Sequence, residues 1–258
     1  MTHVVRALLF KEMREGRWKY LIAAAVLVAL GVSIPVMYNF VVDMLNTLMQ
    51  DDAVPPALLE LVSPELLELS TYLWGNWHMK NLYQAMVVIA LVFGSGTIAG
   101  EFSRGTAQFL FSRAVHRKSV VLVKTGVDLA AMAVAALLGT AALDIFARIA
   151  HGFAVSATFY AALIPIMAGT AFVYGLALFV STKIDDPVKA GVAAAVAAAV
   201  LSIPSFVPAW RGWSVYVHMT GRALLENGMF PWLAVFVITA LGAGLVAAAI
   251  ESLRRRDI

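Results

Sequence analysis

Residues 159–180 read Phe-Tyr-Ala-Ala-Leu-Ile-Pro-Ile-Met-Ala-Gly-Thr-Ala-Phe-Val-Tyr-Gly-Leu-Ala-Leu-Phe-Val, without one charged side chain. Folded as a helix, that run is about 33 Å long, enough to cross the roughly 30 Å hydrocarbon core of a bilayer. Five further stretches of similar character flank it: Tyr20–Phe40, Leu82–Ala99, Val120–Phe146, Ala190–Trp210 and Met229–Ile250. The third span in chain order carries Asp128 and Asp144, and the fifth is interrupted by Pro204 and Pro208. The expected fold class is an all-α membrane protein with six transmembrane helices.

Composition points the same way. Of the 258 residues, 61% are hydrophobic and 14% charged, whereas soluble domains carry about 25% charged residues. One large water-soluble core would need a charged coat that is missing here, so lipid must solvate much of the exterior. The chain is expected to form a single transmembrane domain over 1–258. Its net charge of +3 comes from basic residues gathered at the ends of apolar stretches, which is a membrane pattern and not a nucleic-acid-binding face. Cysteine is absent, which excludes disulfides, cysteine-ligated metal sites and a thiol nucleophile. No cleavable signal peptide is expected, because a long charged lead precedes the first apolar stretch.

Fifteen of the 19 Lys and Arg residues lie in the N-terminal lead, the second–third and fourth–fifth connections and the C-terminal tail. Only Lys80, Arg148, Arg211 and Arg222 lie on the other side. The richer side is expected to be cytoplasmic, with both termini there. The localisation expected is the cell (cytoplasmic) membrane, multi-pass.

Three connections stand out. The lead, 1–19, places Val4, Val5, Leu8, Leu9 and Met13 on one face and Lys11, Glu12, Arg14, Glu15 and Arg17 on another. Such a segment suits an amphipathic helix lying in the interface, either as a positive anchor or as an elbow helix gripped by a partner. The segment 41–80 is expected to be extracytoplasmic, with a short amphipathic helix over Pro55–Ser70 before Trp74, Trp77 and Tyr83 return to the interface. Residues 210–232, rich in Trp, are too apolar for a free loop and should lie on or dip back into the membrane.

The connection 100–124 is the most informative. Glu101 stands where the second span leaves the membrane, where an acid is disfavoured unless paired or wet. Arg104, three residues on, is placed to pair with it. Phe109, Leu110 and Phe111 between arginines suit insertion into an interface or a partner's groove. The order Glu101, Arg104-Gly105-Thr106, Leu110, Arg113, Arg117 and Lys124 resembles the cytoplasmic loop of type-2 ABC exporter permeases. Phe10-Lys11-Glu12-Met13-Arg14 is similar to that family's elbow helix, and Arg255-Arg256-Asp257-Ile258 to its basic terminus. A proline usual before the loop's basic residue is replaced by Ala114 and Val115.

The resemblance implies an ATP-driven exporter subunit that is not itself an enzyme. Cytoplasmic ABC ATPase subunits would bind ATP and Mg, since this chain has no Gly-x-x-x-x-Gly-Lys-[Ser/Thr] loop and no cofactor of its own. They would push on Glu101, Arg104, Thr106, Phe109, Leu110, Arg113 and Arg117 and on Lys11, Glu12 and Arg14 of the elbow. A second permease copy, identical or related, would complete the path. Asp128 and Asp144 are functional candidates as intramembrane acids, or structural ones, since Lys124 and Arg148 each stand four residues from one of them.

Other classes compete. Ser95 between Gly94 and Gly96 has a nucleophile's setting, but His3, His78, His116, His151 and His218 all fall in connections or the lead, so an intramembrane protease is disfavoured. Gly94 and Gly96 are expected to serve close packing. No metal site is expected. A stand-alone secondary transporter or channel would call for broken helices with mid-depth acids. A membrane anchor for an ATPase is the third reading.

Overall fold

The computed structural model describes residues 2–50, 68–107 and 116–256. Six helices among them are long and apolar enough to cross a membrane. They are α1 (Thr2–Met49), α2 (Leu69–Ser103), α3 (Arg117–His151), α4 (Ala157–Ser181), α5 (Pro187–Ser202, continued to Ser205 by a 3-10 turn) and α8 (Trp232–Arg254). Two short helices, α6 (Val215–Met219) and α7 (Arg222–Asn227), lie between α5 and α8. No strand occurs among the described residues.

Local chemistry explains the ends. Gly152, at φ 64, closes α3 in the left-handed region that glycine adopts freely. Asp186 caps α5 by accepting from the Lys189 amide at 2.8 Å, with Pro187 in the first turn where its missing N–H costs nothing. The fifth span is shorter than the sequence suggests. Pro204 and Pro208 cannot continue an α-helix, and the chain after Ser202 turns through two 3-10 segments, Ile203–Ser205 and Pro208–Trp213.

Alpha-4 is the hub, with Ile166, Val173, Tyr174, Ala177 and Leu178 fully buried. It packs against α2, α5 and α8. The alanine–valine run of α5 sorts by turn: Ala190, Ala194 and Ala198 face inward, while Val188, Val192, Val196 and Val200 face outward. Alpha-1 packs mainly against α3, and there the backbones touch. A Cβ at Gly31 would lie 2.2 Å from the Gly139 carbonyl oxygen. Small residues allow such approach, which supplies the dispersion contacts that lipid cannot. Gly94 likewise abuts the Tyr174 carbonyl, but Gly96 faces open space, so only the first of that pair serves close packing.

Part of the segment 210–232 packs against the bundle. Met219 and Tyr216 are buried, and Met219 occupies the space a side chain at Gly169 of α4 would need. The Tyr216 hydroxyl donates to the Ala198 carbonyl at 2.9 Å. Burial, and then repulsion from Tyr83, pushes that phenol up to about 12.

The lead departs from expectation. Residues 1–19 do not form a separate elbow helix in the interface; from Thr2 onward they continue into α1 as one 48-residue helix. Gly16 is the lead's only helix-weakening residue, and nothing there forces a break. One residue of the expected apolar face meets α3, others of it stay open, and one residue of the expected charged face turns inward. Leu8 packs on Val120 and Glu12 is buried, whereas Leu9 and Met13 are half exposed. Most of the helix expected over Pro55–Ser70 lies outside the described residues.

Candidate functional site: a charged junction at the basic end of the bundle

The end of α2 explains the Glu-x-x-Arg-Gly-Thr pattern. Gly105, at φ 69, turns the chain back. Its amide then donates to the Phe102 carbonyl at 3.0 Å and the Thr106 amide donates to the Glu101 carbonyl at 3.0 Å. These are the paired bonds of a Schellman cap, which satisfy carbonyls the helix leaves free. The fold brings the Thr106 hydroxyl onto the Glu101 carboxylate at 2.5 Å. Glycine and threonine are therefore the turn that holds Glu101 in place.

Glu101 itself is 1% exposed. Its other oxygen accepts from Lys124 Nζ at 2.9 Å, and the same ammonium donates to Glu12 at 2.8 Å. One lysine on α3 thus bridges the end of α2 and the lead of α1. All three side chains are nine-tenths buried or more, so the Coulombic attraction is little screened. Arg104 reaches Glu101 only at 3.5 Å from an exposed position, and it also donates to the Gly100 carbonyl at 3.0 Å.

Lys124 does not pair with Asp128, as their four-residue spacing suggested. Asp128 accepts instead from Lys19 at 2.6 Å, Tyr20 at 2.7 Å, Tyr174 at 3.1 Å and Thr97 at 3.4 Å. That joins α1, α2, α3 and α4 on one carboxylate. All four donors come from other helices and enclose the carboxylate, which is 2% exposed. Lys19, Tyr20, Thr97 and Tyr174 were not singled out in the sequence, and helix periodicity alone carries no signal for them. Asp128→Ala is expected to cost on the order of 2 kcal/mol, as the stranded donors lose their acceptor. Asp128→Asn, which keeps an oxygen there, should cost less; thermal unfolding in detergent compares the two.

Asp144 sits at the opposite end of α3. Arg148 grips it with two bonds of 2.9 Å each, and the Val155 amide and Tyr160 hydroxyl complete its shell. Here the four-residue spacing did identify the partner.

The rest of the basic end is also tied together. Arg117 donates to the Leu253 and Arg256 carbonyls at 2.7 and 2.8 Å, capping α8. Arg256 lies 3.9 Å over the Phe102 ring, donates to the Thr182 carbonyl at 3.0 Å and pairs with Asp185. Lys11 pairs with Glu15 at 3.7 Å on the surface, and Arg14 is exposed beside them. Phe109, Leu110 and Arg113 lie outside the described residues.

A cleft of about 350 Å³ opens beside the junction, lined by Glu12, Lys19, Thr97, Lys124 and Asp128 among others. Carboxylate oxygens of Glu12, Glu15 and Glu101 come within 4.8 Å of one another. Lys124 already stands between two of them, which places a positive charge where an ion would bring one. Ser95, the nucleophile candidate, donates its hydroxyl to the Val92 carbonyl at 3.2 Å.

The six helices and the buried ionic bridge among α1, α2 and α3 define a polytopic membrane protein. Residues 6–209 match the family described as ABC-2 family transporter protein, and the chain belongs to that family. It is a multi-pass transmembrane subunit of an ABC transporter, and its family works with ABC ATPases. No curated protein matches it.

Proposed function

We propose that this chain is the path-forming subunit of an ATP-driven exporter in the cell membrane, with its basic end in the cytoplasm. ATP and Mg act on separate ATPase subunits, this chain is not an enzyme, and a second copy or a relative completes the path. The observation that supports this most is the bridge from Lys124 to Glu12 and Glu101. A push on the loop after α2 or on the lead is carried through the buried ammonium into α3. Because interior charges resist separation, the three segments move as one body. The lead acts as a lever continuous with α1, in place of a hinged elbow.

The test is to co-express the chain with any phosphate-loop ATPase found in an adjacent reading frame, co-purify the two and measure ATP turnover. Glu101→Ala and Arg104→Glu are expected to lower turnover or association. Unchanged values for both would remove the coupling role from this loop. If no ATPase is encoded nearby and none co-purifies, a stand-alone transporter or channel becomes the better reading.

A further inference from the structure

On another face of α1 and α3, away from the Glu12–Lys124 junction, a groove of about 860 Å³ lies open. Alpha-1 contributes Leu9, Met13, Arg17 and Leu21, and α3 contributes Gly126 and Ala130 among other apolar residues. Nothing approaches within 4 Å of where a Gly126 side chain would begin. Its lining runs from residue 122 to 138 on α3, a length of about 24 Å. That exceeds one leaflet of a core about 30 Å thick.

The groove is apolar apart from Arg17, which stands on α1 with Leu9 and Met13 to one side and Leu21 and Ala24 to the other. Arg17 also lines an adjoining recess of about 620 Å³ with Lys11 and Arg14. Lys11 is paired with Glu15, but no carboxylate among the described residues forms an ion pair with Arg14 or Arg17. Arg17 stands three residues before the apolar run begins at Tyr20, a position from which a long basic side chain reaches the head groups. Two guanidiniums without an ion pair, beside the Lys11–Glu15 pair in the same recess and next to a trough of acyl length, match a phosphate with a hydrocarbon tail.

We propose that the α1–α3 groove is a binding site for an anionic phospholipid of the leaflet on the basic side. One acyl chain lies along Gly126 and Ala130, and the phosphate lies at Arg17 and Arg14. The groove shares no residue with the Glu12–Lys124–Glu101 bridge, so it holds whether or not that bridge transmits force.

The experiment embeds the full chain in nanodiscs of phosphatidylcholine with or without phosphatidylglycerol, then releases it for native mass spectrometry to count retained lipid. Phosphatidylglycerol should be retained in preference, by about fivefold for each of the two arginines. Arg14→Ala/Arg17→Ala should abolish the preference, and Arg254→Ala/Arg255→Ala should leave it intact. Gly126→Leu, or Ala130→Leu if the first is not monodisperse, should expel the retained chain. Inorganic phosphate in excess should not displace the lipid, because the tail supplies much of the affinity; displacement would mark a plain anion site and overturn the assignment. Equal retention of the two lipids, or a preference that survives loss of both arginines, would also overturn it. So would an oligomer that dissociates on Gly126→Leu without any change in bound lipid, which would make the groove an interface between copies.

Discussion

Lys124→Met is expected to remove about 3–5 kcal/mol of stability, the usual cost of stranding a buried charge by deleting its partner. Two charges are stranded here. Glu12 and Glu101 lose the ammonium that lies 2.8 and 2.9 Å from them, and neither is exposed enough to recover its loss from water. The readout is thermal unfolding in detergent, with a fall on the order of 10 °C or a loss of monodisperse protein. Removing all three charges tests the cause. Glu12→Gln/Glu101→Gln/Lys124→Met should recover most of the stability, since a buried ionic cluster replaced as a whole is often neutral. The single changes should rank as well. One oxygen of Glu12 is buried without a hydrogen-bond partner, so Glu12→Gln should be milder than Glu101→Gln, where both oxygens are engaged. A Lys124→Met protein as stable as the parent would mean that water reaches the junction freely.

That junction also marks where sequence reasoning stops. Spans are legible because length and hydropathy are one-dimensional properties, and all six were found. Asp144 and Arg148 were legible because a helix brings residues four apart together. The same rule paired Lys124 with Asp128 wrongly. Each had a partner more than a hundred residues away, and only the packing of α1 on α3 decides between near and far partners. The Gly-Thr pair was recognised as a pattern, but its role as a cap that presents Thr106 to Glu101 needed backbone angles. The lead was split from α1 on its charge pattern, although charge changes what surrounds a helix without ending it. One member of its charged face, Glu12, is inside because Lys124 meets it there, and the charge pattern of the lead alone carries no sign of that.

Gly31→Ala is expected to cost about 3 kcal/mol, at the upper end for overpacking, from a single methyl group. The added carbon would lie 2.2 Å from the Gly139 carbonyl oxygen and 3.3 Å from the Leu143 amide nitrogen. Both are backbone atoms, so no side-chain rotation clears the clash and the helix axes must part. Separation would also loosen Leu27 and Leu143, which are fully buried beside the crossing, and strain the 3.0 Å bond from Trp77 to Thr140. Gly139→Ala should cost less. Its methyl would lie 2.9 Å from both the Leu27 carbonyl oxygen and the Trp77 ring, a looser approach than the 2.2 Å at Gly31. Gly244→Ala in α8, with nothing within 4 Å, should be neutral or stabilising by up to about 1 kcal/mol, since alanine is the better helix former. Thermal unfolding of the three proteins gives the order directly. Because α1 reaches the rest of the bundle mainly through α3, parting them at Gly31 should also weaken the Lys124 bridge about four turns away. A cysteine pair at the Glu12 and Lys124 positions would then cross-link less readily in the Gly31→Ala background. Equal stability of Gly31→Ala and Gly244→Ala would mean that α1 and α3 are not in backbone contact in the membrane.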